Sequence, residues 1–128
     1  MDNPPMPLTV KKHRANLDQL RAETEAAIAV MQKTYDELDP EEVASDVGAG
    51  EDEGGSEGDL TRFERDRLRA RIAEEEAFLS VIDAAHKRAE GRNWKSCTRC
   101  GKPIGDDRLE ALPATDLCVT CKADRGNW

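Results

Sequence analysis

Large aromatic side chains are scarce in this chain: two Trp, two Phe and one Tyr in 128 residues. With 38% hydrophobic residues as well, that shortage excludes a broad, deep core. Long apolar runs are missing too. The longest, Ala26 to Met31, has six residues, a third of the roughly 18 that a membrane-spanning helix needs. Basic residues are absent from Asp36 to Asp59, a stretch with eleven acidic ones. Outside it, 19 basic residues stand against 16 acidic ones, a net +3 inside a chain of net −8. A protein that grips duplex nucleic acid by itself shows a basic surface for the phosphates, so free-standing DNA binding is not expected. Histidine occurs twice, at positions far apart. With no nucleophile and base pattern and no glycine-rich loop opening a helix, an independent enzyme is not expected either. No export signal is legible, so reduced thiols and a cytoplasmic location are expected.

Against these absences stand four cysteines, laid out as Cys97-Thr-Arg-Cys100 and, seventeen residues on, Cys118-Val-Thr-Cys121. This C-x2-C-x17-C-x2-C spacing is that of a four-thiolate zinc site. Two residues between cysteines let a tight turn aim both sulfurs at one tetrahedral ion, and the long arm returns a second turn to close it. Four such ligands leave no open position, so one Zn2+ with a structural role is expected at Cys97, Cys100, Cys118 and Cys121. The competing readings are a pair of redox motifs or reduced core cysteines, and no thioredoxin-like βαβ pattern surrounds either motif. A structural zinc contributes roughly 10–16 kcal/mol of apparent binding energy to folding, which suits a chain too small for a large core.

The rest reads as helix. Residues 1–8 hold three prolines and are expected to be a disordered lead-in. Thr9 is a candidate N-cap, and no Gly or Pro interrupts the chain from Val10 to Leu38. Heptad spacing selects Leu17, Arg21, Thr24, Ile28, Met31, Tyr35 and Leu38 as one stripe. A second uninterrupted segment, 60–91, closes on Gly91, suited to a helix C-terminus. Its stripe is Thr61, Arg65, Leu68, Ile72, Glu75, Leu79, Ile82, His86 and Ala89. Folded back antiparallel, the stripes pair with residue numbers summing to 99, which would set Leu17 against Ile82 and a polar layer of Arg21 and Thr24 beside Glu75. His86 is read as a seam or surface residue, since four thiolates already fill the metal site. Arginines 62, 65, 67, 69 and 71 alternate with Glu64 and Asp66 as a solvated face. The fold class predicted is mainly α: an antiparallel two-helix coiled-coil hairpin over 9–38 and 60–91, with a small C-terminal four-cysteine zinc finger over 92–128.

Between the helices, residues 39–59 contain five of the nine glycines and almost nothing apolar. They are expected to form an acidic, mobile tip loop. Such a run is either a solubilising spacer or a carboxylate cluster carried on an arm to a metal ion, basic side chains or a partner's active site. In the finger, Pro103 and Gly105 supply turn chemistry. Arg108, Leu109 and Leu112 are expected to pack the finger onto the hairpin base, and Trp94 to fill the joint. Only a slight final helix fits in 123–128.

The run Cys97-x2-Cys100-Gly101-Lys102-Pro103-Ile104-x3-Arg108-Leu109-Glu110-Ala111-Leu112-Pro113-x4-Cys118-x2-Cys121 strongly resembles the zinc finger of the DksA/TraR family, bacterial regulators that bind RNA polymerase. The resemblance implies a monomer whose hairpin enters the polymerase secondary channel and whose tip alters initiation. Relatives carry Asp-x-x-Asp-x-Ala at the tip. Here Asp39-Pro40-Glu41-Glu42-Val43-Ala44 fits with Glu42 in place of the second Asp, so Asp39, Glu42 and Ala44 are the candidate tip residues. Residues 45–59 look like an insertion, and Trp94-Lys95 replaces the aromatic-Gly pair of relatives. A brief N-terminal region leaves dependence on the alarmone ppGpp open. The alternatives are a Gre-like assistant to transcript cleavage, a zinc-stapled adaptor and a nucleic-acid-binding zinc module.

Overall fold

The computed structural model describes residues 6–38 and 54–126, with side chains for 6–38 and 59–124. Among these residues four helices follow in order: α1 (Val10–Glu37), α2 (Gly54–Arg88), α3 (Asp106–Ala111) and α4 (Val119–Gly126). Among the described residues there is no strand, only an isolated bridge between Ser96 and Pro103. No helix there is long and apolar enough to cross a membrane.

Helix α1 starts where its cap dictates. The Lys12 amide donates to Thr9 Oγ1 at 3.1 Å, satisfying a donor that the first turn leaves orphaned, and the His13 amide makes the first regular helical bond, to the Thr9 carbonyl at 2.9 Å. At the other end the Leu38 amide is shared between the Thr34 and Tyr35 carbonyls. Helix α2 begins at Gly54, six residues before the start expected at Leu60. Gly54, Gly55 and Gly58 each cost about 1 kcal/mol against alanine in a helix, which is why the segment reads as loop. Once 60–88 has paid the nucleation cost, each further turn needs only propagation, and an Asp59–Arg62 pair at 3.3 Å lies one turn apart on the same face. The C-terminus also differs from expectation. Gly91 does not adopt a left-handed backbone; among the described residues the glycines with positive φ are Gly101 and Gly105. Instead the helix tightens, the Glu90 amide donating to Lys87 and the Gly91 amide to Arg88.

The chain divides into two compact units. In the one formed by 24–78, the heptad stripe is the protected surface among the described residues: Thr24, Ile28, Met31, Tyr35, Thr61, Arg65, Leu68, Ile72 and Glu75 are buried or half-buried, joined by Leu38 and Phe78, and their helical neighbours are exposed. Of the apolar residues among these, Ile72 alone is buried rather than half-buried. The other unit, residues 1–23 and 79–128, is better packed. Leu17 and Ile82 are fully enclosed, and Ala85 and Ala89 are buried as well. Leu8, assigned by its prolines to a disordered lead-in, is 4% exposed and sits in the finger's core.

The polar contacts across the seam start close to the predicted sum of 99 and run to about one turn beyond it. Arg65 lies over the Tyr35 ring, numbers adding to 100, while Asp18 meets His86 at 3.0 Å, Arg21 pairs with Asp83, and Tyr35 with Arg69, each adding to 104. Long side chains flanking a seam reach about a turn along the facing helix, and Arg21, expected in a polar layer beside Glu75, pairs with Asp83.

Candidate metal centre

The finger is built from two turns and a short helix. The Cys97 amide donates to the Lys102 carbonyl at 2.8 Å and the Gly101 amide to Cys97 at 2.9 Å, closing the first loop. Gly101 turns it with φ 80°, where a β-carbon would be strained. Gly105, at φ 104°, lets the chain enter α3. The second pair of cysteines opens α4, with the Lys122 amide donating to the Cys118 carbonyl. Three contacts tie the loops together. Thr98 donates from its amide and hydroxyl to Asp116, Arg108 Nε donates to the Leu117 carbonyl at 3.0 Å, and Arg99 Nη1 to that of Cys121.

This scaffold brings the four sulfurs within 4.8 Å of one another, with Cys100 and Cys118 at 3.7 Å. A tetrahedron with zinc–sulfur bonds of ~2.3 Å has edges of ~3.8 Å, so the cluster is placed to hold one such ion. Cys97 and Cys121 are buried, while Cys100 is exposed. Burial pushes the Cys97 thiol up, but the amides of Cys118, Cys100 and Arg99 bring it down to about 6. The Cys121 amide likewise lowers Cys118. Burial and the neighbouring sulfurs push Cys121 up to about 12. The site thus has an anion ready on one side and a proton to give up on the other.

Packing around the cluster differs in part from expectation. Leu109 is 1% exposed within the finger core, but Leu112 is half exposed and Arg108 is spent on Leu117 rather than on the hairpin. Asp106 is the unexpected tie. It accepts the Leu8 amide at 2.9 Å and pairs with Lys95 at 3.0 Å, and these contacts hold its carboxyl below the usual range. Arg88 Nη2 reaches the Thr115 carbonyl at 3.3 Å. The candidate tip residues Asp39, Glu42 and Ala44 lie outside the described residues.

His13 was not legible as a site residue, although it lies one turn ahead of Leu17 on the buried stripe. It is 2% exposed, stacks on Trp94 with ring centroids 4.6 Å apart, and its Nδ1 has no hydrogen-bond partner. Burial, then the charges of Arg88, His86 and Lys95, lower its pKa from 6.5. The unfolded chain therefore takes up this proton first as pH falls. The His13 contribution to stability is constant above about pH 6.5 and is lost below it, down to the depressed folded value. Urea midpoints measured from pH 7.5 to 5 should fall with pH, and a His13→Phe variant should fall less. Parallel slopes would remove His13 as a cause, leaving the thiolates, which also lose metal in acid.

Fold and site together define a class: an α-helical hairpin joined to a four-thiolate zinc finger. The sequence profile described as "Prokaryotic dksA/traR C4-type zinc finger" matches residues 91–125. The similarity to that family lies in these 35 residues. The chain is 40% identical over 48 residues to the RNA polymerase-binding transcription factor DksA of Escherichia coli K12 and of Salmonella typhimurium LT2, which is 38% of this chain and 32% of theirs. The Haemophilus influenzae DksA is equally similar over 33% of its length. The match therefore spans about a third of the curated relatives. The solved structure of transcription factor DksA2 from Pseudomonas aeruginosa has the same fold, with a TM-score of 0.70 at 23% identity over 91% of this chain and 82% of that one.

Proposed function

We propose that this protein is a bacterial transcription regulator that binds RNA polymerase directly and modulates initiation. The observation that carries the reading is a conjunction: a DksA/TraR finger on a chain whose fold matches a DksA-type factor over 91% of its length. In this reading Cys97, Cys100, Cys118 and Cys121 each give one thiolate to a structural zinc, and the hairpin is the arm that enters the secondary channel. Asp39, Glu42 and Ala44, in the connection between α1 and α2, are its working residues. The regulator acts as a monomer and without its own hold on DNA, in keeping with its net charge of −8.

The test is co-purification with core RNA polymerase, together with transcription from a ribosomal RNA promoter. An Asp39→Asn/Glu42→Gln variant keeps the shape of both side chains and removes two charges. It should bind the polymerase as the wild type does and lose its effect on transcription by about tenfold or more, since a charge-assisted contact contributes roughly 1.5–3 kcal/mol. Release of short RNA from backtracked complexes would move the assignment to the cleavage-assistant reading. Failure of the wild type to bind would end both.

A further inference from the structure

In the unit formed by 24–78, one flank of the helix pair is hollowed into a groove of about 240 Å3, lined by Gln32, Tyr35, Arg69, Ile72, Ala73 and Glu76. Tyr35 stands at one end between two guanidinium groups. Arg65 lies over the ring, 4.0 Å from its centroid, and Arg69 Nη2 donates to the hydroxyl. Two cations four residues apart on one helix repel one another, and among the described residues neither has a carboxylate within ion-pair distance. Arg65 also occupies a seam position, where the heptad favours an apolar side chain, and its Nε is enclosed without a hydrogen-bond partner. That arrangement is destabilising in the free protein.

We propose that this groove docks a helix of a protein partner that presents an acidic side chain to Arg69 and Tyr35, beside the charge of Arg65, and, two turns away, a basic one to Glu76. At the first position the groove lining offers the Arg69 guanidinium and the tyrosine O–H, whose oxygen already accepts from Arg69, with the positive charge of Arg65 over the tyrosine ring close by. A carboxylate can accept from both donors. Beyond it the floor is apolar, Ile72 and Ala73, which suits a small or branched aliphatic side chain. Glu76 follows Arg69 by seven residues, ~10 Å along α2, and a partner helix repeats at that same spacing. A polyanion running along the groove, nucleic acid included, would meet the Glu76 carboxylate. The charge order selects a helix with one acidic and one basic contact.

The experiment uses the full zinc-loaded chain and does not involve the polymerase, so its outcome is separate from that of the regulatory reading. The probe is a short alanine-based helical peptide with Glu and Lys two turns apart and Leu between them. Controls are the same peptide with Gln for Glu, and inorganic phosphate. The peptide should shift the Arg65 and Arg69 Nε–H resonances and the Tyr35 ring saturably. The Gln peptide should bind about tenfold more weakly. Arg69→Gln and Glu76→Gln, each checked by an unchanged backbone spectrum elsewhere, should weaken the Glu peptide severalfold. The proposal is overturned if the Gln peptide binds equally well, if both variants bind like wild type, or if phosphate shifts the same resonances as strongly, which would make the arginines a plain anion sink. Should Arg69→Gln disturb the helix pair, Glu76→Gln alone decides.

Discussion

A Cys97→Ser substitution should abolish stoichiometric zinc and unfold the finger. The residue is 2% exposed, and three backbone amides hold its sulfur as an anion near neutral pH. A serine hydroxyl in that place keeps its proton and offers the metal a poor ligand. Structural zinc supplies roughly 10–16 kcal/mol of apparent binding energy in small fingers, comparable to or above the entire stability of an ordinary domain. The residues left behind cannot replace it: among the described residues the finger's buried apolar cluster is Leu8, Ile104, Leu109 and Leu117 besides the cysteines, with Trp94 packed against it. Zinc content by atomic absorption should fall from about one per chain to near zero. Near-UV circular dichroism should lose the signal of the packed Trp94, and a chelator added to the wild type should give the same spectrum. A Cys97→Ser protein that keeps one zinc and its thermal midpoint would falsify the four-thiolate assignment.

Removal of the metal should be steeply pH-dependent. Cys121, raised to about 12 by burial and adjacent sulfurs, gives up a proton only when zinc arrives, whereas Cys97, at about 6, is already ionised at pH 7. Lowering the pH through the thiolate range returns protons to the site and expels the ion. Zinc release followed with a colorimetric chelator should therefore begin in mildly acidic solution and reverse on neutralisation.

What could be read from residues alone divides along physical lines. The four cysteines were legible because coordination chemistry ties ligand type to spacing, and Thr9 because a hydroxyl ahead of an uninterrupted run has one evident use. The stripes were legible because burial follows a period, and each stripe residue among those described is indeed protected. The polar pairs across the seam were not. The stripe does not say that Arg21 meets Asp83 or that Asp18 meets His86, partners chosen only in three dimensions. The early start of α2 escaped because propensity is local and propagation is not. Leu8, Asp106 and His13 escaped for a related reason: Leu8 meets Asp106 across 98 residues of chain, and His13 stacks on Trp94 from the far end of the sequence. The prolines before Leu8 describe the backbone they sit in, not the finger it docks on.

The apolar seam is uneven, and truncating it should show the difference. Leu17 and Ile82 have no exposed surface, so Leu17→Ala or Ile82→Ala leaves a cavity as well as losing transfer energy, at a cost of roughly 2–5 kcal/mol. Met31 and Leu68, in the other unit, are only half-buried. Neighbours there can relax into the space, and Met31→Ala should cost about 1 kcal/mol. Urea unfolding with zinc present, at pH 7.5, measures both. Equal losses at the two places would mean that the burial pattern does not set the energetics. The expected asymmetry has a consequence in hydrogen exchange. Amides of α1 and α2 within 24–78, held by one buried isoleucine and a seam interrupted by polar residues, should exchange through local openings well below the global unfolding energy. Those beside Leu17 and Ile82 should wait for the whole unit to open. A Leu17→Ala variant should then speed exchange beside Leu17 and Ile82 while leaving the 24–78 amides nearly unchanged, because their opening never depended on that side chain.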